Sequence, residues 1–214
     1  LTMKYTTPLL FDKTMDIFRF IYDRSRFSDR YDLFRMKDIC DSFSKGQVQS
    51  KEWLVEKVLP YVEDYHQSIL IIGGWYGLLS HIFVEKGFKR EIKNYELDDV
   101  CIEIAQKLQV HENIMHKHQD GLELFDHPWT NKKEKIVCCT ACEHIDPDDL
   151  YSVLSMKAPN MIVALQSNNM YDIDSHINCH DSLNSFIASL PKMEILYQGT
   201  LTIGEYQRFM VIAR

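Results

Sequence analysis

Two short stretches hold residues whose types and spacing can do chemistry. Residues 69–79, ILIIGGWYGLL, run from an aliphatic segment directly into Gly73, Gly74, Trp75, Tyr76 and Gly77, and then into leucines that suit a helix. A strand that ends in glycines and feeds a helix leaves backbone N–H groups bare enough to approach a polar ligand, with the positive end of the helix dipole behind them. The same glycines also suit a tight turn in which they only relieve φ strain, and a Gly-x-x-x-Gly pattern alone fits both uses. Glu96 favours the first use. It lies 19 residues beyond Gly77 (96 − 77) at the end of the next strand candidate, the place from which a carboxylate accepts hydrogen bonds from ribose hydroxyls. Asp98 reads as the cap of the helix that follows.

The second stretch is VCCTACEHIDPDDL, beginning at Val137. His144 follows the fourth strand candidate, at the edge where open α/β sheets place their chemistry, and an imidazole with a pKa of about 6.5 suits base work. Glu143 beside it can orient it or bind substrate. Both residues equally suit the start of the next helix. Cys139-x-x-Cys142 with His176-x-x-x-His180 has zinc-like spacing, but Cys138 and Cys139 fall inside a strand candidate, where free cysteine behaves as a small hydrophobe. Core cysteines are the expectation.

The elements that must position these residues divide at about Pro60. Before it, MDIFRFIYDRSRF, YDLFRMKDICDSF and SKEWLVEKVLPYVEDY carry apolar residues at helical spacing, with Ser50 as N-cap of the third. After it, ILII, EIKNYE, NIMHKH, KIVCC, MIVALQ, MEILY and QRFMVIAR alternate with longer amphipathic segments, the signature of βαβ units. Only QGTLTIGE separates the last two strands, too little for a crossover helix, so they are expected to pair antiparallel. The predicted class is α/β: a Rossmann-like, mostly parallel sheet of seven strands with the last antiparallel, helices on both faces and an N-terminal helical extension. The expected division is a helical cap over 1–60 and a Rossmann-like domain over 61–214, together one compact unit.

Composition narrows the function. A chain of 214 residues with 45% hydrophobic and 26% charged residues suits one domain with a full core. The net charge of −7 gives no general electrostatic footprint for duplex nucleic acid, and leaves a single strand in a local groove open. No stretch reaches the roughly 20 apolar residues of a membrane span, and LTMKYTTPLL has no basic leader pattern. Cys40, Cys101, Cys138, Cys139, Cys142 and Cys179 are scattered rather than dense, as in a reducing cytoplasm.

From about residue 50 to 214 the sequence resembles the class I S-adenosylmethionine-dependent methyltransferases. IIGGWYG is similar to their glycine-rich first motif, YELDD to the second, HQDGLEL to the third and VCCTACEHIDPDDL to the stretch after the fourth strand; IVALQSNN, SHINCHDSLNSF and YQRFMVIAR follow in order. The resemblance implies S-adenosylmethionine as cofactor, with S-adenosylhomocysteine as product. It implies binding by Gly73, Gly74, Trp75 and Gly77, by Glu96 and Leu97 at the ribose, by Asp120 and Gly121 at the adenine, and by Thr140, with His144 and Glu143 acting on an unidentified acceptor. That acceptor is expected to be a small molecule, a protein or a single-stranded nucleic acid. His176 and Asn178 are candidates to line its pocket, or are solvated loop residues. GQVQSKEWL and GGWYG look most like methyltransferase-like proteins encoded by bacteriophages, which implies the host-cell cytoplasm.

Three departures accompany the resemblance. Ile71 stands where most members carry an acidic residue, and Trp75 where a glycine is usual; its ring either stacks on a ligand or packs against the N-terminal helices. Some relatives hold magnesium with Glu-x-x-Glu-His, but Thr140 replaces the first Glu here, so no metal is expected. Neither Asn-Pro-Pro-Tyr nor Pro-Cys appears, which disfavours amino-group and cytosine-C5 methylation. Ile71 and Trp75 also keep open a non-catalytic interaction protein on the same fold. A different nucleotide such as NAD fits the glycine spacing and Asp120 less well.

Overall fold

β1 (Ser68–Ile72), SILII, is buried at every position, as is β5 (Ile162–Asn168), IVALQSN. Strands covered on both faces read as continuous apolar runs, and these two lie well inside the sheet. The computed structural model describes residues 8–25, 30, 33–126 and 135–214; the tail of the first helical stretch (26–27) and the start of the second (31–32) lie outside the described residues. The order is α1 (Pro8–Ser25), α2 (Leu33–Ser42), α3 (Lys45–Val58), β1, α4 (Leu78–Glu85), β2 (Glu91–Glu96), α5 (Asp99–Leu108), β3 (Ile114–His118), β4 (Lys135–Cys139), α6 (Pro147–Ser155), β5, α7 (Leu183–Ala188), β6 (Ile195–Ile203) and β7 (Tyr206–Ala213).

The seven strands form one sheet in the order β3-β2-β1-β4-β5-β7-β6. β1 to β5 pair in parallel, and β7 runs antiparallel between β5 and β6. This is the expected Rossmann-like fold. Strand order reverses between β1 and β4, the switch point at which loops diverge and open a crevice at the carboxyl ends. The expected connector QGTLTIGE is mostly strand: β6 runs on to Ile203, and only Gly204 and Glu205 make the turn. Gly204, at φ +58, supplies the left-handed conformation that a two-residue hairpin needs.

Side-chain alternation along the strands builds two cores. Leu70, Ile72, Val137, Cys139, Val163 and Leu165 face α6 and α7, through Leu150, Leu154 and Phe186. Ile69, Ile71, Ile136, Cys138, Ile162 and Ala164 face α3 and α4, through Leu54, Val55, Leu79 and Phe83. The first two helices make a third cluster, with Ile17, Ile21 and Ile39 packed on Tyr76 and on Val100, Ile104 and Leu108 of α5.

Caps set where helices start. Asp98 accepts from Val100 N and Cys101 N, and Asp146 from Asp148 N and Asp149 N with Pro147 at the first helical position. Ser50 does not cap α3. Ser44 does, accepting from Gln47 N, while Ser50 is one turn inside, buried, and donates to Gln166 Oε1 at 2.8 Å. The helix starts earlier than the apolar pattern implies because its first turn is polar.

Candidate functional site

A cleft of about 870 Å³ follows the carboxyl edge of the sheet, walled by loops after β1 to β5, by β7, and by residues of α2 and α3. The half over β1, β2 and β3 is built largely from backbone. Gly73, at φ +62, and Trp75, at φ 49, line it. Trp75 holds the left-handed conformation that glycine adopts without strain. Its ring is partly buried against the cluster of α1, α2 and α5, 5.4 Å from the Tyr76 ring, and also borders the cleft. Packing and lining are thus combined in one side chain.

Gly74 and Gly77 do not line the cleft; they are needed beneath it. A Cβ on Gly74 would fall 2.0 Å from Asn94 Oδ1, and one on Gly77 2.8 Å from His116 Cε1. Asn94 is buried, bonded to Gly74 O at 3.4 Å and in contact with His116 Nδ1 at 3.3 Å. Burial pushes His116 down to about 4, so it is a neutral packing partner at ordinary pH.

Glu96 ends β2 at the cleft, as expected, but its carboxylate already serves the protein: Oε2 accepts from Trp75 N at 2.9 Å, and Oε1 from Leu97 N at 2.8 Å and Asp98 N at 3.2 Å. It therefore ties the glycine loop to the end of β2. Leu97 is exposed beside it, and Asp120 and Gly121 line the cleft beyond β3. Asp120 accepts from Leu122 N, and Gly121 packs so closely that a Cβ would come within 2.9 Å of Ile72.

The half over β4, β5 and β7 holds buried charge. Cys142–His144 form one 3₁₀ turn after β4, so Glu143 and His144 precede α6 rather than starting it. Glu143 is 2% exposed; its Oε1 accepts from Arg208 Nη1 at 2.6 Å and Asn168 Nδ2 at 2.7 Å. Arg208, also buried, donates to Thr140 O at 3.3 Å. Thr140 is buried and borders the cleft. Glu143 thus does not orient His144. That imidazole is exposed, with Nδ1 against Ser175 O at 3.0 Å, and its ring meets that of His176 edge-on at 4.6 Å.

Lys51 was not singled out by the sequence. It is 6% exposed, borders the cleft, and donates to Gln47 Oε1 at 2.5 Å. Burial, reinforced by the charge of Arg208 and opposed by Glu143, pushes it down to about 7. A buried lysine one turn beyond Gln47 on a helix facing the sheet is the only sequence signal it leaves.

His176 lines the cleft, whereas Asn178 and His180 do not. Asn178 is buried, its N–H donating to Glu143 O and its carbonyl accepting from Ser167 Oγ, and His180 packs on Phe186. The zinc-like cysteine spacing is spent on the core: Cys139 and Cys142 are fully buried in the cluster under α6, and burial pushes the Cys138 thiol up. Among the described residues, the group with ligand atoms gathered closely enough for a metal is Glu143, His144 and His176.

The fold is the one seen in solved Rossmann-like methyltransferases. No family model and no curated sequence matches the chain. Solved structures do match in fold. Geranyl diphosphate methyltransferase, in complex with geranyl diphosphate and sinefungin, has a TM-score of 0.59 at 11% identity over 78% of this chain and 78% of its own. The N-methyltransferase NodS from Bradyrhizobium japonicum has a TM-score of 0.58 at 12% identity, over 81% of this chain and 98% of its own. TrmK from M. capricolum, in complex with S-adenosylhomocysteine, has a TM-score of 0.54 at 12% identity, over 75% of this chain and 66% of its own.

Proposed function

We propose that the chain is an S-adenosylmethionine-dependent methyltransferase acting on a small molecule, a protein or a single-stranded nucleic acid. The observation that carries this reading is a division of labour along one sheet edge: Gly73, Glu96 and Asp120, at the ends of β1, β2 and β3, share one cleft with Glu143 after β4, Arg208 of β7 and Lys51 of α3. Ligands found in neighbours of the same fold, sinefungin and S-adenosylhomocysteine, support the cofactor.

In this reading the loop of Gly73 and Trp75 takes the methionine end, Glu96 and Leu97 the ribose, Asp120 and Gly121 the adenine, and Thr140 the boundary toward the acceptor. Gly74 and Gly77 act through the loop they shape. When bound, S-adenosylmethionine supplies a methyl group on an excellent leaving group, so the protein's task is alignment and, where needed, removal of a proton. His144 is assigned that proton: a carbonyl accepts at Nδ1, which leaves Nε2 as the basic atom. The helices over 1–60 act as a cap, since residues of α2 and α3 wall the cleft opposite the 61–214 unit. Among the described residues no helix is long and apolar enough to cross a membrane, and all six cysteines are free thiols, which supports a reducing cytoplasm.

Ile71 favours a second reading, a non-catalytic protein on this fold, because it places hydrocarbon in the core where a carboxylate would contact the cofactor's ammonium. Calorimetric titration with S-adenosylhomocysteine, with NAD as control, separates the two. Saturable binding of the former with a raised melting temperature is expected; no binding at millimolar ligand rejects the methyltransferase reading.

A further inference from the structure

We propose that Glu143, His144 and His176 form a binding site for one divalent transition-metal ion on the acceptor side of the cleft. One ligand atom from each of the three lies within 4.8 Å of the other two. Ligands each about 2.1 Å from an ion are about 3–3.5 Å apart at right or tetrahedral angles, so small rotations of the exposed His144 and half-buried His176 rings toward the buried Glu143 close the set.

The hydrogen bonds around the trio leave one potential ligand atom on each residue unused. A carbonyl only accepts, so the contacts of His144 Nδ1 with Ser175 O and of His176 Nδ1 with Met170 O, each 3.0 Å, put the proton on Nδ1 of both rings. Nε2 of each then carries a lone pair, and the backbone holds each ring in the manner of outer partners that fix metal-binding histidines. On Glu143, Arg208 and Asn168 both occupy Oε1, whereas Oε2 is buried and has no hydrogen-bond partner among the described residues. A buried carboxylate oxygen left bare is costly, and a cation beside it removes that cost. The contacts with Arg208 and Asn168 hold this carboxylate in place.

The donor set selects the ion. Two imidazoles and one carboxylate suit manganese, iron, cobalt, nickel or zinc better than magnesium or calcium, which prefer all-oxygen shells. Three protein ligands leave coordination positions open toward the cleft. Resting on the methyltransferase reading, those positions would receive an acceptor that offers an oxygen donor, such as a hydroxyl, whose proton is more easily lost beside the ion. His144 is then a ligand in place of the base.

The test uses the untagged chain stripped of metal. Cobalt(II) is titrated while its visible absorption is followed, with magnesium as comparison, on wild type, His144→Ala and His176→Ala; circular dichroism checks the fold of each. One equivalent of cobalt is expected to bind. Each histidine variant should lose more than the roughly 10–100-fold that removal of an outer partner costs, and magnesium should bind far more weakly. No saturable cobalt uptake, or uptake unchanged in both variants, overturns the site. S-adenosylhomocysteine titrated into the metal-free chain keeps the two readings apart: binding without cobalt uptake overturns the metal site alone, and histidine-dependent uptake without nucleoside binding supports the site while rejecting the cofactor.

Discussion

Glu96, at the end of β2, and Glu143, in the turn after β4, lie on opposite sides of the switch point, and the protein treats them differently. Glu96 accepts three backbone N–H groups and borders solvent in the cleft. Glu143 is buried and paired with the buried Arg208 beside a buried Lys51. The half of the cleft over β1 to β3 is therefore shaped largely by main chain, which is cheap in desolvation. The half over β4 to β7 holds full charges away from water, where they persist only when each is answered by another. A region that accepts this cost has its charges fixed in place before any ligand arrives, which is how preorganised sites work.

The largest effect is expected where a buried charge loses its partner. Arg208→Ala leaves the buried Glu143 without its guanidinium partner, and should lower the unfolding free energy in urea by about 3–5 kcal/mol. A loss under about 1 kcal/mol would mean that the pair behaves like a surface one, and the contrast between the halves would fail. Lys51→Met should act in the opposite direction, raising stability at pH 6 by about 1–4 kcal/mol, as when hydrocarbon replaces a buried ion. Its folded value of about 7 lies below the ordinary 10.5, so the folded state sheds its proton first. The destabilisation from Lys51 is then complete below pH 7 and disappears as pH rises toward 10.5. The gap between variant and wild type, followed by urea melts at several pH values, should close over that window; a constant gap would show that Lys51 is not buried as a cation.

On the other side of the switch point, Glu96→Ala should weaken S-adenosylhomocysteine binding by about 1.5–3 kcal/mol, the range for a charged hydrogen bond. Because the carboxylate also holds Trp75 N, amide hydrogen exchange in residues 73–77 should speed up in the same variant. Unchanged affinity with faster exchange would assign Glu96 to the loop alone. The smallest effect is expected at Gly77→Ala, where a left-handed φ of +83 costs about 1–2 kcal/mol, read from the shift in urea midpoint with its slope unchanged. A neutral result would show that the contact with His116 relaxes freely.

The amino-acid order determined the sheet almost strand by strand. Aliphatic runs such as ILII and KIVCC can be satisfied only by burial on both faces, and the short segment between the last two strands forbids a parallel crossover. That Gly73, Glu96, Asp120 and His144 border the cleft follows from the same local pattern, since each ends a strand or lies in the segment just after one. Helix starts were less so. Asp98 announces itself beside an apolar pattern, whereas Ser44 precedes a polar first turn and Ser50 imitates a cap from inside the helix. What only the tertiary structure decided is which distant residues meet. Lys51, Glu143, Asn168 and Arg208 come from α3, the turn after β4, β5 and β7, and His176 reaches His144 across a loop. Gly74 and Gly77 share one local pattern with Gly73, and only the fold packs Asn94 and His116 against them. Local pattern reports what each residue prefers over a few neighbours in the chain; buried charge pairs and steric exclusion depend on separations that folding alone sets.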